Sequence, residues 1–334
     1  MSSSRVRAAV AIVGIAIGGL FLWLAIHDAD LGAVQDALAD ADLGLVALAV
    51  AAFGGVYGFQ SVRWRRIAAT PSVRLARFYE MTVSGVAVNN VLPGRIGDLL
   101  RARWLGLAAR MPAGRAFGTV IIDRVCDLGV LVGLLLVGIA AVASSGWLVN
   151  LAAAGVLLLL VVSTVFLLSR LYVGARERNR RSRGLLRRLA RDTVETLAEP
   201  LNRRRTAMWL LLSICAWTTW AVAAFLVADS LGMDLSFTDC LFATAVLNLG
   251  SAIPSSPGFV GTYEWLGVAS LGLLGVGHEP ALAFTILLHA AWYVPTTLAG
   301  GVALIARGVR RLQRSRDASP RPRPPRDVAS DEPS

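Results

Sequence analysis

The stretch Asn248–Glu264, NLGSAIPSSPGFVGTYE, lies inside an apolar run long enough to enter a membrane, yet it is full of helix breakers. Pro254, Pro257 and Gly258 cannot share one continuous helix, because proline removes a backbone donor and clashes with the preceding turn. Bent backbone at membrane depth has to be shielded by protein or line a polar cavity, since lipid cannot satisfy the freed peptide groups. A second stretch, Asn89–Asp98 (NNVLPGRIGD), has the same character. Aligned, Pro93-Gly94-x-x-Gly97 matches Pro257-Gly258-x-x-Gly261, and an acid follows each, Asp98 or Glu264. Paired broken helices in two halves of a membrane protein point to a transport site. These two stretches are the candidate centre.

Composition supports the membrane setting. Of 334 residues 55% are hydrophobic and only 16% charged, with a mean hydropathy of +0.61. A soluble domain carries about a quarter charged residues. The net charge of +11 comes from arginine alone, as the chain has no lysine. Without lysine there is no phosphate-binding P-loop and no Schiff base, which argues against an ATP-driven motor. The arginines flank apolar spans, so anionic inner-leaflet lipids are their expected partners and nucleic acid is not. Cys126, Cys215 and Cys240 lie in apolar segments and read as small buried side chains. No Cys/His metal spacing appears, and no cofactor is expected.

Outward from the two breaks, the chain reads as an all-α polytopic protein. Val6–Ile26 is the first span; its apolar run is too long for a signal-peptide core and no A-x-A-like site follows. Asp28–Asp42 is an acidic outer loop with Leu31, Val34 and Leu38 at helical spacing. Leu43–Val62 returns to a basic flank at Arg63, Arg65 and Arg66, as the positive-inside rule predicts. Phe78–Leu92 and Arg95–Ala109 form a hairpin inserted from the cytoplasm, followed by spans over Phe117–Ala143 and Trp147–Leu168. Residues 170–205 hold twelve arginines, with Leu185, Leu186, Leu189, Thr193 and Leu197 on one stripe. That segment is either an amphipathic helix on the inner leaflet or a solvated linker. Met208–Ala228 crosses outward, Phe237–Ile253 and Phe259–Val276 form the second hairpin, and Pro280–Ala306 crosses back. The expectation is six full spans and two re-entrant hairpins in an inverted repeat. A membrane domain over 1–312 precedes a disordered tail over 313–334, with both termini in the cytoplasm.

These residues resemble the lysylphosphatidylglycerol synthase transmembrane family, the flippase-like domain of the multiple peptide resistance factor. The first signature is Asn90-x-x-Pro93-Gly94-x-x-Gly97-Asp98-x-x-Arg101, followed by Asp123-Arg124-x-x-Asp127; the second is Pro254-x-x-Pro257-Gly258-x-x-Gly261-x-x-Glu264. The similarity covers nearly all of residues 6–306. It implies movement of an anionic or aminoacylated phospholipid between leaflets. The family often has Glu where Asp98 and Asp123 stand, and Arg at His289. The chain ends without the family's aminoacyl-transferase domain, so the resemblance does not imply aminoacyl-lipid synthesis. A second copy of the chain or a separate synthase is the protein partner it leaves open.

The chemistry of the breaks fits a lipid phosphate. Half-helices starting near Arg95 and Phe259 would present unpaired N–H groups and positive dipole ends, which bind anions. Gly94, Gly97, Gly258 and Gly261 would let backbone approach a ligand, and Arg95 and Arg101 could fork onto phosphate. Asp123 and Asp127 share a helix face, and with Arg95, Asp98, Arg101 and Arg124 they form either ligand contacts or one buried salt-bridge lattice. Glu264 could meet a headgroup amine, carry a proton or pair with Arg124. His289 reads as a polar helix contact, and Trp104, Trp147 and Trp265 as interface anchors. Two further functions stand beside lipid transport. One is a polyprenyl-phosphate-dependent glycosyltransferase using acids of Asp28-Ala29-Asp30; the other is a lipid-binding accessory subunit without turnover.

Overall fold

The computed structural model describes residues 3–92, 95–142, 185–199, 202–251 and 256–317. All the secondary structure among them is helical. The helices are α1 (Ser3–Ile26), α2 (Leu31–Ala39), α3 (Leu43–Ala68), α4 (Leu75–Val91), α5 (Ile96–Ala109) and α6 (Ala113–Val142). After a gap come α7 (Leu185–Ala198), α8 (Arg203–Ser230), α9 (Phe237–Gly250), a 3-10 turn (Pro257–Phe259), α10 (Thr262–Gly272) and α11 (His278–Asp317). Four of the starts are set by capping side chains. Asp30, Asp42 and Asn202 each accept two backbone N–H bonds from the first turn of α2, α3 and α8, and Ser236 with Asp239 makes a capping box on α9.

Among the described residues, α3, α8 and α11 are individually long and apolar enough to cross a bilayer, and α1 with α2, bent by 86°, supplies a fourth candidate. The expected six spans are therefore only partly matched. Helix α6 begins at Ala113, four residues before the expected span, and carries Arg115, Asp123, Arg124 and Asp127 in its first half; the span expected over 147–168 lies outside the described residues. Leu298, Val302 and Ile305 on α11 are 65%, 67% and 70% exposed. An outward stripe of that kind belongs against lipid, where helix association relies on close packing of small residues rather than on the hydrophobic effect. Such packing recurs: Gly300 of α11 lies on Val83 and Ala87 of α4, Gly138 of α6 on Phe242 of α9, and Gly267 of α10 on Thr285 of α11.

Contacts at the helix ends fix the layout. Asp42 N–H donates to Ser230 O (2.9 Å), and Arg66 reaches Met208 (3.2 Å), so α3 and α8 run antiparallel along their whole length. Their shared core holds Phe53, Tyr57, Trp217 and Trp220. His278 lies 2.8 Å from Ala25 O, while Arg307 pairs with Glu80 (3.3 Å) and stacks on Trp104. Helix α11 thus starts beside the end of α1 and finishes beside α4 and α5. The hairpins α4–α5 and α9–α10 consequently open toward opposite ends of the bundle.

Several expectations are corrected. Helix α10 begins at Thr262, not Phe259, because Gly258, Phe259 and Gly261 all have positive φ (71°, 63° and 88°). Helix α11 runs to Asp317, past the expected start of the tail at 313; residues 318–334 lie outside the described part. The arginine-rich stripe, described from 185, packs on protein: Gly114 and Gly118 of α6 lie against Leu189 and Thr196 of α7, and Thr193 donates to Gly114 O (3.0 Å). Two of the tryptophans read as interface anchors have specific contacts, and Trp147 lies outside the described residues. Trp104 lies under Arg307, and Trp265 packs on Phe21 at 4.8 Å.

Candidate functional site

Both breaks come to the same place, along one face of α11. His289, Tyr293 and Thr297 are spaced four residues apart, so they stack on a single side of that helix. His289 Nε2 lies 2.9 Å from Gly258 O of the second break. Tyr293 Oη donates to Asn90 O of the first break (3.3 Å), and its ring covers Gly258. Thr297 Oγ1 accepts from Asn90 Nδ2 (2.8 Å). A direct bond joins the two breaks as well: Arg95, the N-cap of α5, donates from NH2 to Ser251 O at the end of α9 (2.9 Å). Tyr293 and Thr297 escaped the sequence reading. Their signal was a polar stripe at i, i+4 and i+8 beside Pro295.

The motif glycines have a different role from the one expected. A Cβ on Gly97 would sit 1.9 Å from Gly85 O of α4, and one on Gly261 the same distance from Gly18 O of α1. Gly258 faces the Tyr293 ring. All three admit protein, not ligand. The N–H groups of the breaks are also partly engaged. Gly97 donates to Asn89 Oδ1 (2.7 Å) and Gly261 to Glu264 Oε2 (2.5 Å). Each half-helix therefore carries a carboxylate in its first turn, Asp98 or Glu264, beside its own positive end. Pro93, Gly94 and Pro254 lie outside the described residues.

Glu264 does not reach Arg124. Its Oε1 lies 2.6 Å from His289 Nδ1, and both side chains are buried. On its other side His289 faces a carbonyl, which can only accept, so Nε2 carries a proton. The 2.6 Å contact needs one more proton between Nδ1 and Oε1, whichever atom owns it. Rings of Tyr263, Trp292 and Tyr293 surround the imidazole at 4.5, 5.2 and 5.5 Å between centroids.

The remaining predicted charges form the salt-bridge lattice. Arg63, read as a flank residue, is its missed centre: Nε donates to Asp123 (2.8 Å) and NH1 to Asp127 (2.6 Å). Arg101 reaches Asp123 (3.1 Å) and Asp98 (3.5 Å), while Arg124 holds Asp98 (2.7 Å) and Asp127 (3.6 Å). Trp217 Nε1 donates to Asp127 (2.9 Å), and Arg101 stacks on Trp64. An ionised side chain in a membrane span costs about 3 kcal/mol on insertion scales, so alternation of sign is what makes the cluster tolerable. Arg63 NH2 and Arg101 Nε have no protein acceptor. Arg101 is thus committed to acids, and Arg95 is the exposed cation at the junction of the breaks.

Comparison with known proteins places the chain in a family. Residues 11–300 match the profile of the family described as the lysylphosphatidylglycerol synthase TM region. A protein of Haloferax volcanii named "Glycosyltransferase AglD" is 29% identical, over 89% of this chain and 54% of its own length. The chain thus spans about half of that relative. A UPF0104 membrane protein of Methanothermobacter thermautotrophicus is 25% identical, over 82% of this chain and 88% of its own. Another from Methanocaldococcus jannaschii is 21% identical, over 64% and 92%. With a match across both breaks and the lattice between them, the chain belongs to the lysylphosphatidylglycerol synthase transmembrane family.

Proposed function

We propose that this membrane protein moves an anionic or aminoacylated phospholipid, or a lipid-linked phosphate, between leaflets. One observation carries the reading: two broken hairpins opening toward opposite ends of the bundle meet at Arg95, Ser251, Asn90 and Tyr293. In transporters of this build, substrate sits where such breaks meet. Arg95 would hold the headgroup phosphate, joined by the N-terminal ends of α5 and α10, with the acyl chains remaining in lipid. Asn90, Asp98, Gly97, Gly258 and Gly261 would shape the two breaks, and the Arg63–Asp123 lattice would brace the first. The Glu264–His289 pair would release its proton when the second break opens, coupling movement to a proton. The hairpins would be re-entrant, and both termini cytoplasmic.

The test is reconstitution in vesicles with labelled anionic lipid. Wild type should speed exchange between leaflets, and Glu264→Gln should slow it toward the rate of empty vesicles while keeping the Gly261 N–H bond. A wild-type rate equal to that of empty vesicles would end the proposal.

The name of the haloarchaeal relative favours glycosyl transfer as a second reading. In this chain, however, Asp30 and Asp42 cap α2 and α3, and Asp28 pairs with His27 (2.8 Å). Helix capping accounts for the repeated Asp-Ala-Asp pattern without catalysis. Loss of function from Asp30→Asn, with none from Glu264→Gln, would reverse the preference.

A further inference from the structure

A second site lies away from the breaks, where the C-terminal end of α3 meets the N-terminal end of α8. There the structure holds a cavity of about 630 Å³, within the size range of small-molecule sites. Arg65, Arg66, Arg204 and Arg205 line it, with Thr70 and Trp209. None of the four arginines makes an ion pair with an acid among the described residues, whereas every arginine of the lattice makes at least two. Four guanidinium groups lining one cavity favour the entry of an anion, because like charges repel even at surface dielectric.

The cavity is also partly prearranged. Arg65 is tied to the following turn through Nε to Val73 O (3.0 Å) and NH2 to Pro71 O (3.3 Å). Arg66 is steadied by its NH1 contact with Met208 Sδ (3.2 Å), which leaves Nε and NH2 unengaged. The Asn202 cap fixes the first turn of α8, from which Arg204 and Arg205 project. Fixed forks and an indole suit a phosphate group with more than one negative charge, in contact with a partly apolar body.

We infer that this cavity is a binding site for a doubly charged phosphate, a phosphomonoester or diphosphate, distinct from the site at the breaks. A lipid headgroup or a soluble phosphate could each present that chemistry.

The experiment uses the full chain in nanodiscs of phosphatidylcholine, titrated separately with phosphatidic acid and with inorganic pyrophosphate. In an Arg95→Gln background, which removes the proposed headgroup contact at the breaks, saturable binding at one site per chain is expected for at least one probe. Arg66→Gln/Arg205→Gln should weaken it at least about tenfold, from the loss of two charge-assisted contacts. Arg103→Gln, an exposed arginine of α5 outside the cavity, should leave it unchanged. Saturation by phosphatidic acid alone identifies a headgroup site; saturation by pyrophosphate, with competition between the two, identifies a soluble ligand. The inference is overturned if neither probe saturates, if the double variant binds like wild type, or if Arg103→Gln loses as much. Circular dichroism of the double variant establishes that its helices persist. Binding is read at equilibrium, so the result stands apart from the outcome of the transport assay.

Discussion

Arg95 is the residue on which the proposed site turns, and it is held in an unusual backbone state. Its φ is 53°, in the left-handed region, which costs a non-glycine residue about 1–2 kcal/mol. In that conformation its guanidinium reaches Ser251 O across the junction. Replacing it separates strain from function. Arg95→Gly removes the backbone cost and loses one hydrogen bond of about 1 kcal/mol, so the two nearly cancel. The thermal midpoint in detergent should stay level or rise, while vesicle transport falls; a stable variant with full transport would remove Arg95 from the site. The sequence exposed Arg95, Asp98, Arg101, Asp123, Arg124 and Asp127 because charges inside apolar runs stand out. It hid Arg63, since a flank charge beside Arg65 and Arg66 looks like part of the basic collar, and only packing against α6 and α8 turns it inward.

At the scale of elements, glycines decide which helices touch. The repeated Pro-Gly-x-x-Gly motif showed where the helices break, yet it suggested glycines that admit ligand. In the fold, Gly97 and Gly261 instead take a neighbouring helix backbone at a distance no side chain allows. Gly97→Ala and Gly261→Ala should each destabilise by at least about 1–3 kcal/mol through overpacking. Gly261 should suffer more, because its φ of 88° is also unsuited to alanine. Gly129→Ala and Gly133→Ala, whose Cβ positions meet nothing within 4 Å, should change stability by less than about 0.5 kcal/mol. Thermal unfolding of the four variants checks this directly, and equal losses in both pairs would contradict the packing. Helix α11 was legible as a span from its apolar length. Its part in joining the breaks was not, because the partners of Tyr293 and Thr297 lie about 200 residues earlier in the chain.

In the whole molecule, α11 carries contacts to both breaks, so one helix ties together the hairpins opening to either end. If transport needs the halves to part, pinning α4 to α11 should stop it. Asn90→Cys/Thr297→Cys, in a Cys215→Ser background because Cys126 and Cys240 are buried, can be bridged by a reducible thiol cross-linker. Transport should stop on bridging and return on reduction; an unchanged rate in fully bridged protein would refute the rocking motion. The membrane class and the two breaks were readable from local chemistry, whereas their convergence needed the folded bundle. The lattice has a consequence for how such motion could be driven. Its three arginine and three aspartate charges cancel, and the membrane potential does work of about 2.3 kcal/mol per 100 mV only on net charge. Shifted as a body, this cluster is electrically silent, so any voltage sensitivity has to arise from the cargo or from a proton travelling with it.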